Sequence, residues 1–221
     1  YPKSGPGQMW EETARRVSAA GGRIHFNRRV ARLKHEAWRI TSIELIDDRS
    51  AESETCAGDY FLSSMPVREL IACFDPAAPD DVRKVAQGLV YRDYVTVGLL
   101  LRRWQVETLR DNWIYIQEPD VKLGRLQIFN NWSPYLVQDP NAIWIGLEYF
   151  CDKGDALWSK TDDEFARFAS GELVKLGLIA EADVLDRTVI RVPQTYPAYT
   201  GSYDQFDVIR RFTDQFENLF L

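Results

Sequence analysis

The chain has 221 residues, 45% of them hydrophobic and 13% aromatic, which is enough for a substantial core in one large domain or two small ones. A formal charge of -6 and an isoelectric point near 5.1 argue against a nucleic-acid surface, because phosphate binding relies on clustered Lys and Arg. Cys56, Cys73 and Cys151 lie far apart, and with only His25 and His35 beside them they give neither a disulfide framework nor a zinc site of usual spacing. No apolar run approaches the ~20 residues that span a bilayer, so the expected address is the cytoplasm.

The chain opens on Tyr1-Pro2-Lys3-Ser4-Gly5-Pro6-Gly7, a loop whose glycines permit tight turns and close approach to a ligand or another segment. Trp10, Ala14, Val17 and Ala20 then recur at helical spacing, which predicts a helix with one buried face, and Gly21-Gly22 predicts its left-handed stop. Ile24 and Phe26 alternate with Arg23 and His25 as a strand would. Arg28, Arg29, Arg32 and Lys34 interleave with Val30 and Leu33 and read as the solvated face of a strand. Because residue 1 is Tyr and already lies in turn chemistry, the chain is expected to begin inside a longer protein.

Arg39 to Ile46 predicts a strand, Asp47 to Ser50 a turn, and Glu52 to Ala57 a strand pairing back. Tyr60 to Leu62 then runs into Ser63, Ser64 and Pro66, with helical spacing from Val67 to Phe74. Strand, small residues, Pro, helix is how a doubly wound sheet brings backbone to a ligand at the carboxyl ends of its strands. A linker from Pro76 to Pro79 and a helix from Asp80 to Leu89 follow, with two aspartates at its positive end.

From Tyr91 the composition turns β-rich. Tyr94 to Leu101, Trp113 to Ile116, Leu126 to Phe129 and Ile143 to Phe150 predict an antiparallel sheet, and a domain boundary falls near residue 90. Thr161 and Glu164 form a capping box ahead of the stripe Phe165, Phe168, Ala169, Leu173 and Leu176, ended by Gly177. Val189 to Val192 is a short strand, a last helix runs from about Tyr203 to Phe216, and Leu219 to Leu221 looks like a strand beginning.

Hydrolase triads, metalloprotease helices and Walker loops are absent, and no catalytic residue is assigned. Asn130, Trp132 and Tyr135 lie in a loop after a strand, where binding residues concentrate. Tyr196 and Tyr199 belong with Trp113, Tyr115, Phe129, Trp144 and Tyr149 to an aromatic set that suits either a ligand pocket or core packing. Arg92, Arg125 and Arg191 suit either a diphosphate or ordinary ion pairs.

Three stretches carry a resemblance. Gly5, Gly7, Gly21, Gly22, Ile24, Val30 and Leu33 form the first, Ser63 to Pro66 the second, and Arg191-Val192 through Tyr196-Pro197, Tyr199 and Asn218-Leu219-Phe220 the third. Together the chain resembles the central part of the FAD-dependent amine-oxidase-like superfamily, which includes protoporphyrinogen oxidases and UDP-galactopyranose mutases. The resemblance implies an α+β fold: a partial Rossmann-like FAD-binding α/β part at 1–90, an antiparallel-sheet substrate domain with helices at 91–200, and a return toward the FAD domain at 201–221. It implies FAD in the full-length parent, contacted by Gly5, Gly7, Val30, Ser64 and Pro66, with Val30 beside the adenine. It also implies a small-molecule substrate, of sugar-nucleotide type in the mutases, met by Asn130, Trp132, Tyr135, Tyr196 and Tyr199, and a place in lipopolysaccharide or cell-surface sugar synthesis. A GxGxxG pyrophosphate loop is absent, so these 221 residues alone are expected to hold FAD weakly or not at all. Oxidase and mutase chemistry stay open, and the alternative is a non-catalytic α+β binding module that uses its aromatic sheet as a contact face.

Overall fold

A computed structural model describes residues 1–104 and 109–221. In chain order the elements are α1 (Pro6–Ala19), β1 (Arg28–Glu36), β2 (Arg39–Asp47), β3 (Ser53–Ala57), β4 (Phe61–Leu62), α2 (Val67–Ala72), β5 (Phe74–Asp75) and α3 (Asp80–Gln87). There follow β6 (Tyr91–Leu101), β7 (Trp113–Tyr115), β8 (Arg125–Ile128), α4 (Phe129–Trp132), β9 (Ile143–Cys151), α5 (Asp162–Lys175), β10 (Val184–Pro197), α6 (Phe206–Thr213) and β11 (Leu219–Phe220). The fold is α+β, and the chain divides into two compact units. One comprises Tyr1–Arg23 and Arg92–Tyr196, the other Ile24–Tyr91 and Pro197–Leu221.

The first unit is built on a five-stranded sheet in the order β10-β6-β9-β8-β7, with β6–β9, β9–β8 and β8–β7 antiparallel. Side chains alternate across a strand, so each strand divides its residues between two faces. Val95, Val97, Leu99 and Leu101 of β6, Leu126 and Ile128 of β8, and Ile145, Leu147 and Tyr149 of β9 share one buried core with Phe165, Ala169 and Leu173 of α5. Burying each of the larger side chains stabilises the unit by about 1.5–3 kcal/mol. The α5 start is the capping box read in the sequence: Glu164 N donates to Thr161 Oγ1 at 3.3 Å, and Thr161 N donates back to Glu164 Oε2 at 2.9 Å. Its end is equally local, with Gly177 at φ +70° while Leu178 N reaches Leu173 O at 3.0 Å.

In the second unit a four-stranded sheet in the order β3-β2-β1-β5 is antiparallel except for the short parallel pairing of β1 with β5, and β4 pairs in parallel with β11. The turn from Asp47 is closed by its own carboxylate, which accepts from Arg49 N at 2.7 Å and Ser50 N at 3.2 Å. Leu33, Ile40, Leu70, Ile71, Phe74, Val82, Val85, Ile209, Phe212 and Phe216 form this unit's core.

Several expectations are corrected. Helix α1 exists and stops at Gly21 with φ +84°, but it buries none of its residues, and Trp10 is 65% exposed. Its apolar spacing is real, yet no described element covers that stripe. Ile24 and Phe26 are not in a strand: the extended run begins only at Arg28, after Asn27 turns the backbone to φ +57°. Phe74 leaves α2 and joins β1 as strand β5, because the ladder at Leu33 needs a partner there. Phe129 starts a helical turn instead of ending β8. Residues Gly201–Gln205 form a 3₁₀ turn ahead of α6, which stops at Thr213, short of the Phe216 expected. Strand β10 is 14 residues long, much longer than Val189 to Val192, since as an edge strand it tolerates Pro193 and Pro197 and shows little apolar alternation.

Candidate functional site

The face of the first unit's sheet opposite α5 is unlike the core face. Registers place Arg125 against Glu148, Glu148 against Thr96, and Gly146 between Gln127 and Gly98, so these side chains come from adjacent strands onto one surface. At its centre the Glu148 side chain is 5% exposed and the Arg125 side chain 14%. Arg125 donates to Glu148 Oε2 from Nε at 2.7 Å and again from Nη2, and Gln127 Nε2 donates to Glu148 Oε1. A buried carboxylate is tolerable only when both oxygens are satisfied, as they are here. Burial disfavours the guanidinium charge, but the bonds to Glu148, with those to Tyr196 and Tyr115, outweigh it and hold Arg125 protonated above its ordinary range.

Aromatic rings surround this pair. The Arg125 guanidinium lies 4.8 Å from the Trp113 ring centroid and 5.9 Å from that of Tyr115, a cation–π arrangement that fixes its plane. Tyr196 lies 6.4 Å from Tyr94 and 6.3 Å from Phe150. Arg92, Tyr115, Arg125, Phe150 and Tyr196 line a cavity of about 350 Å³. Two glycines keep the neighbouring surface low. A Cβ on Gly98 would lie 2.8 Å from Thr188 Cγ2 and 2.9 Å from Trp144, and one on Gly146 would meet the Phe129 ring at 2.9 Å. An apolar-walled cleft with a few convergent, fixed polar groups is the usual form of a small-molecule site.

A second cavity, of about 420 Å³, lies in the other unit between β1 and β2 on one side and β4 with its following turn on the other. Val30, Leu33, Ile43, Tyr60, Ser63 and Ser64 are among its lining. Ser63 N is paired with Phe220 O at 2.8 Å, but its Oγ is buried with no partner. An orphaned hydroxyl beside apolar side chains, with Ser64 and Tyr60 in the same wall, fits an uncharged ligand portion that carries a hydrogen-bonding group. No Lys or Arg lines the cavity, so it offers a diphosphate no cationic side chain.

The residues singled out in the sequence distribute as follows. Val30 and Ser64 share the second cavity, while Pro66 caps α2 just beyond it and its carbonyl accepts from Glu69 N and Leu70 N. Gly5 caps α1 at φ +90° in the first unit, against Leu136, with exposed Gly7 following. Tyr196 lines the Arg125 cavity. Asn130 braces β9: its Nδ2 donates to Ala142 O and its Oδ1 accepts from Trp144 N, both at 2.9 Å. Trp132 stacks on Tyr1 at 5.0 Å, and exposed Tyr135 has Lys3 Nζ 4.1 Å above its ring. Tyr199 sits in the second unit, edge-on to Tyr203. Arg92 pairs with Asp152 at 3.6 Å, and Arg191 pairs with Asp162 and donates to the carbonyls of Trp158 and Lys160. Glu148 and Gln127 were not foreseen, although a lone charge in the run Ile143-Trp-Ile-Gly-Leu-Glu-Tyr-Phe was a legible signal of a polar face. Among the described residues no group of His, Cys, Asp and Glu is arranged to hold a metal ion, and no helix is long and apolar enough to cross a membrane.

Fold and site define the class first: an α+β protein whose antiparallel sheet presents a polar, aromatic-lined face. The chain then matches the flavin containing amine oxidoreductases over residues 2–221, and it belongs to that family. No curated protein matches it. Among solved structures it is similar to reduced UDP-galactopyranose mutase, at 13% identity and a TM-score of 0.79, covering 100% of this chain and 46% of that one. A protein of Pyrococcus furiosus is similar at 13% identity and a TM-score of 0.58, covering 82% and 41%. An oxidoreductase from Methanosarcina mazei follows at 13% identity and a TM-score of 0.54, covering 92% and 45%. The chain therefore spans less than half the length of each of these structures.

Proposed function

We propose that this chain supplies the substrate-binding sheet and part of the flavin-binding scaffold of an FAD-dependent enzyme acting on a sugar nucleotide. In this reading 91–200 is the substrate domain and 1–90 with 201–221 belong to the flavin side, with Tyr1–Arg23 packed in the compact unit that holds the substrate sheet. The observation that carries it is the buried Arg125–Glu148–Gln127 network on the open sheet face, walled by Tyr115, Phe150 and Tyr196. Charged and amide groups held this rigidly under aromatic rings are suited to orienting a hydroxyl-rich ligand, and they have no evident use as core.

Bound FAD would supply the redox or covalent chemistry, which explains why no catalytic triad is needed in the chain. Val30 and Ser64, with the unpaired Ser63 hydroxyl, would hold an uncharged portion of it. Gly5, Gly7 and Pro66 are proposed as further flavin contacts, and Asn130, Trp132, Tyr135 and Tyr199, with Tyr196, as substrate contacts. The similarity of this chain's fold to part of UDP-galactopyranose mutase supports a sugar-nucleotide substrate, and with it a role in supplying cell-surface or lipopolysaccharide sugars in the cytoplasm. The test is a titration of the protein, purified from its entire coding sequence, with UDP-galactose while its flavin spectrum is recorded. A saturable perturbation that is weakened in Tyr196→Ala supports the reading. A flavin spectrum indifferent to UDP-sugars refutes the substrate class.

A further inference from the structure

Both cations at the rim of the Arg125 cavity are already matched by carboxylates. Arg125 uses two of its three nitrogens on Glu148, and Arg92 faces Asp152 at 3.6 Å. The two pairs are not equivalent. Arg92 and Asp152 are both more than half exposed, so solvent and salt screen their attraction. Arg125 and Glu148 are nearly buried, and Gln127 holds the other Glu148 oxygen, so the carboxylate cannot swing aside when a ligand arrives. A diphosphate entering this cavity would meet a cation already neutralised, with a fixed negative charge directly behind it. An uncharged ring would meet three aromatic walls and the outer edge of a flat, immobile guanidinium.

We propose that Glu148 sets the ligand preference of this cavity, making it a subsite for an uncharged, hydroxyl-rich ring and excluding diphosphate. The inference rests on the reading that the open sheet face binds substrate. It assigns to that face the neutral portion of a sugar nucleotide, and it leaves the diphosphate to be held elsewhere. Glu148 acts through Arg125 and is a positioning and specificity residue.

The test compares two probes, methyl galactopyranoside and inorganic pyrophosphate, on the intact protein and on Glu148→Gln, which keeps the shape of the side chain and removes its charge. Trp113, beside Arg125, is the fluorescent reporter, with Trp113→Phe as the baseline that localises the signal. The unaltered protein should bind the glycoside and bind pyrophosphate at least about tenfold more weakly. Glu148→Gln, with a circular dichroism spectrum like that of the parent, should shift the pyrophosphate-to-glycoside affinity ratio about tenfold toward pyrophosphate, as expected for removal of one unit of charge next to the ligand. Asp152→Asn lies on the surface and does not touch the buried network, and it should shift the ratio by no more than about threefold. An unaltered protein that prefers pyrophosphate, a ratio unchanged in folded Glu148→Gln, or no binding of either probe would each overturn the proposal. A flavin-free protein that shows the switch upholds it while removing the flavin reading, and a flavin-loaded protein without the switch does the reverse.

Discussion

Asn218 offers the sharpest test of how the second unit is held together. Its side chain is fully buried and bonds 178 and 159 residues back: Oδ1 accepts from Ile40 N at 2.9 Å, and Nδ2 donates to Ile40 O at 2.9 Å and to Asp59 O at 3.1 Å. The ladder of β2 with β3 ends at Ser42 and Ala57, so the amide of Asn218 substitutes for the next rung where the two strands separate. Asn218→Ala removes all three bonds and leaves the N–H and C=O of Ile40, itself fully buried, without partners. Each buried polar group left unsatisfied costs about 1–3 kcal/mol, so a total of about 2–4 kcal/mol is expected after partial relaxation. In urea this amounts to a midpoint lowered by on the order of 1–2 M. Trp38 is the one tryptophan in this unit, packs on Phe212 and Phe216, and gives its carbonyl to Glu217 N at 3.1 Å, so its fluorescence reports the transition. A midpoint within about 0.3 M of the parent would refute the surrogate-rung account.

Four further outcomes follow from the first unit. Gly98→Ala should destabilise it by about 1–3 kcal/mol, because the new methyl would be pressed between Thr188 and Trp144, measured as a fall in thermal midpoint. Thr161→Ala should cost about 1 kcal/mol by removing the α5 cap, with loss of amide exchange protection confined to that helix's first turn. Burial opposes ionisation of Asp155, but the backbone N–H groups of Asp152, Trp158 and Leu157 outweigh it and hold its carboxyl below the ordinary range. A carboxyl depressed in the folded state contributes stability that is complete above its unfolded value and is lost as pH falls through the folded one. Denaturation midpoints should therefore drop below about pH 4 in the parent and drop less in Asp155→Asn. The Cys151 thiol, pushed up to about 11 by burial and then by Asp155, Asp93 and Asp152, should be the slowest of the three cysteines to react with a maleimide at neutral pH.

Legibility in the sequence tracked how local the cause was. The Thr161–Glu164 box, the Asp47 turn and the Gly21 and Gly177 stops are decided within a few residues, and each stands where the residues implied. Whether an apolar stripe is buried depends on what lies opposite, which is why α1 keeps its spacing but not its burial. The same holds for Ile24 and Phe26, whose alternation lacks a strand partner. The site was legible in its ingredients and not in its arrangement. Arg125 and Tyr196 stood out as residue types, but the meeting of Arg125, Gln127 and Glu148 depends on strand register across more than twenty residues. Arg191 shows the converse, a candidate diphosphate ligand that is instead tied down by Asp162 and two carbonyls.

The central claim is that these residues serve an FAD enzyme, and flavin content tests it most directly. Protein purified from the entire coding sequence should carry close to one FAD per chain, measured by visible absorbance and by the cofactor released on denaturation. Ser63→Val, which fills the orphaned hydroxyl position with a methyl, should lower that occupancy without changing the fold. Protein that is colourless as purified, and that stays so after incubation with excess FAD, would contradict the account.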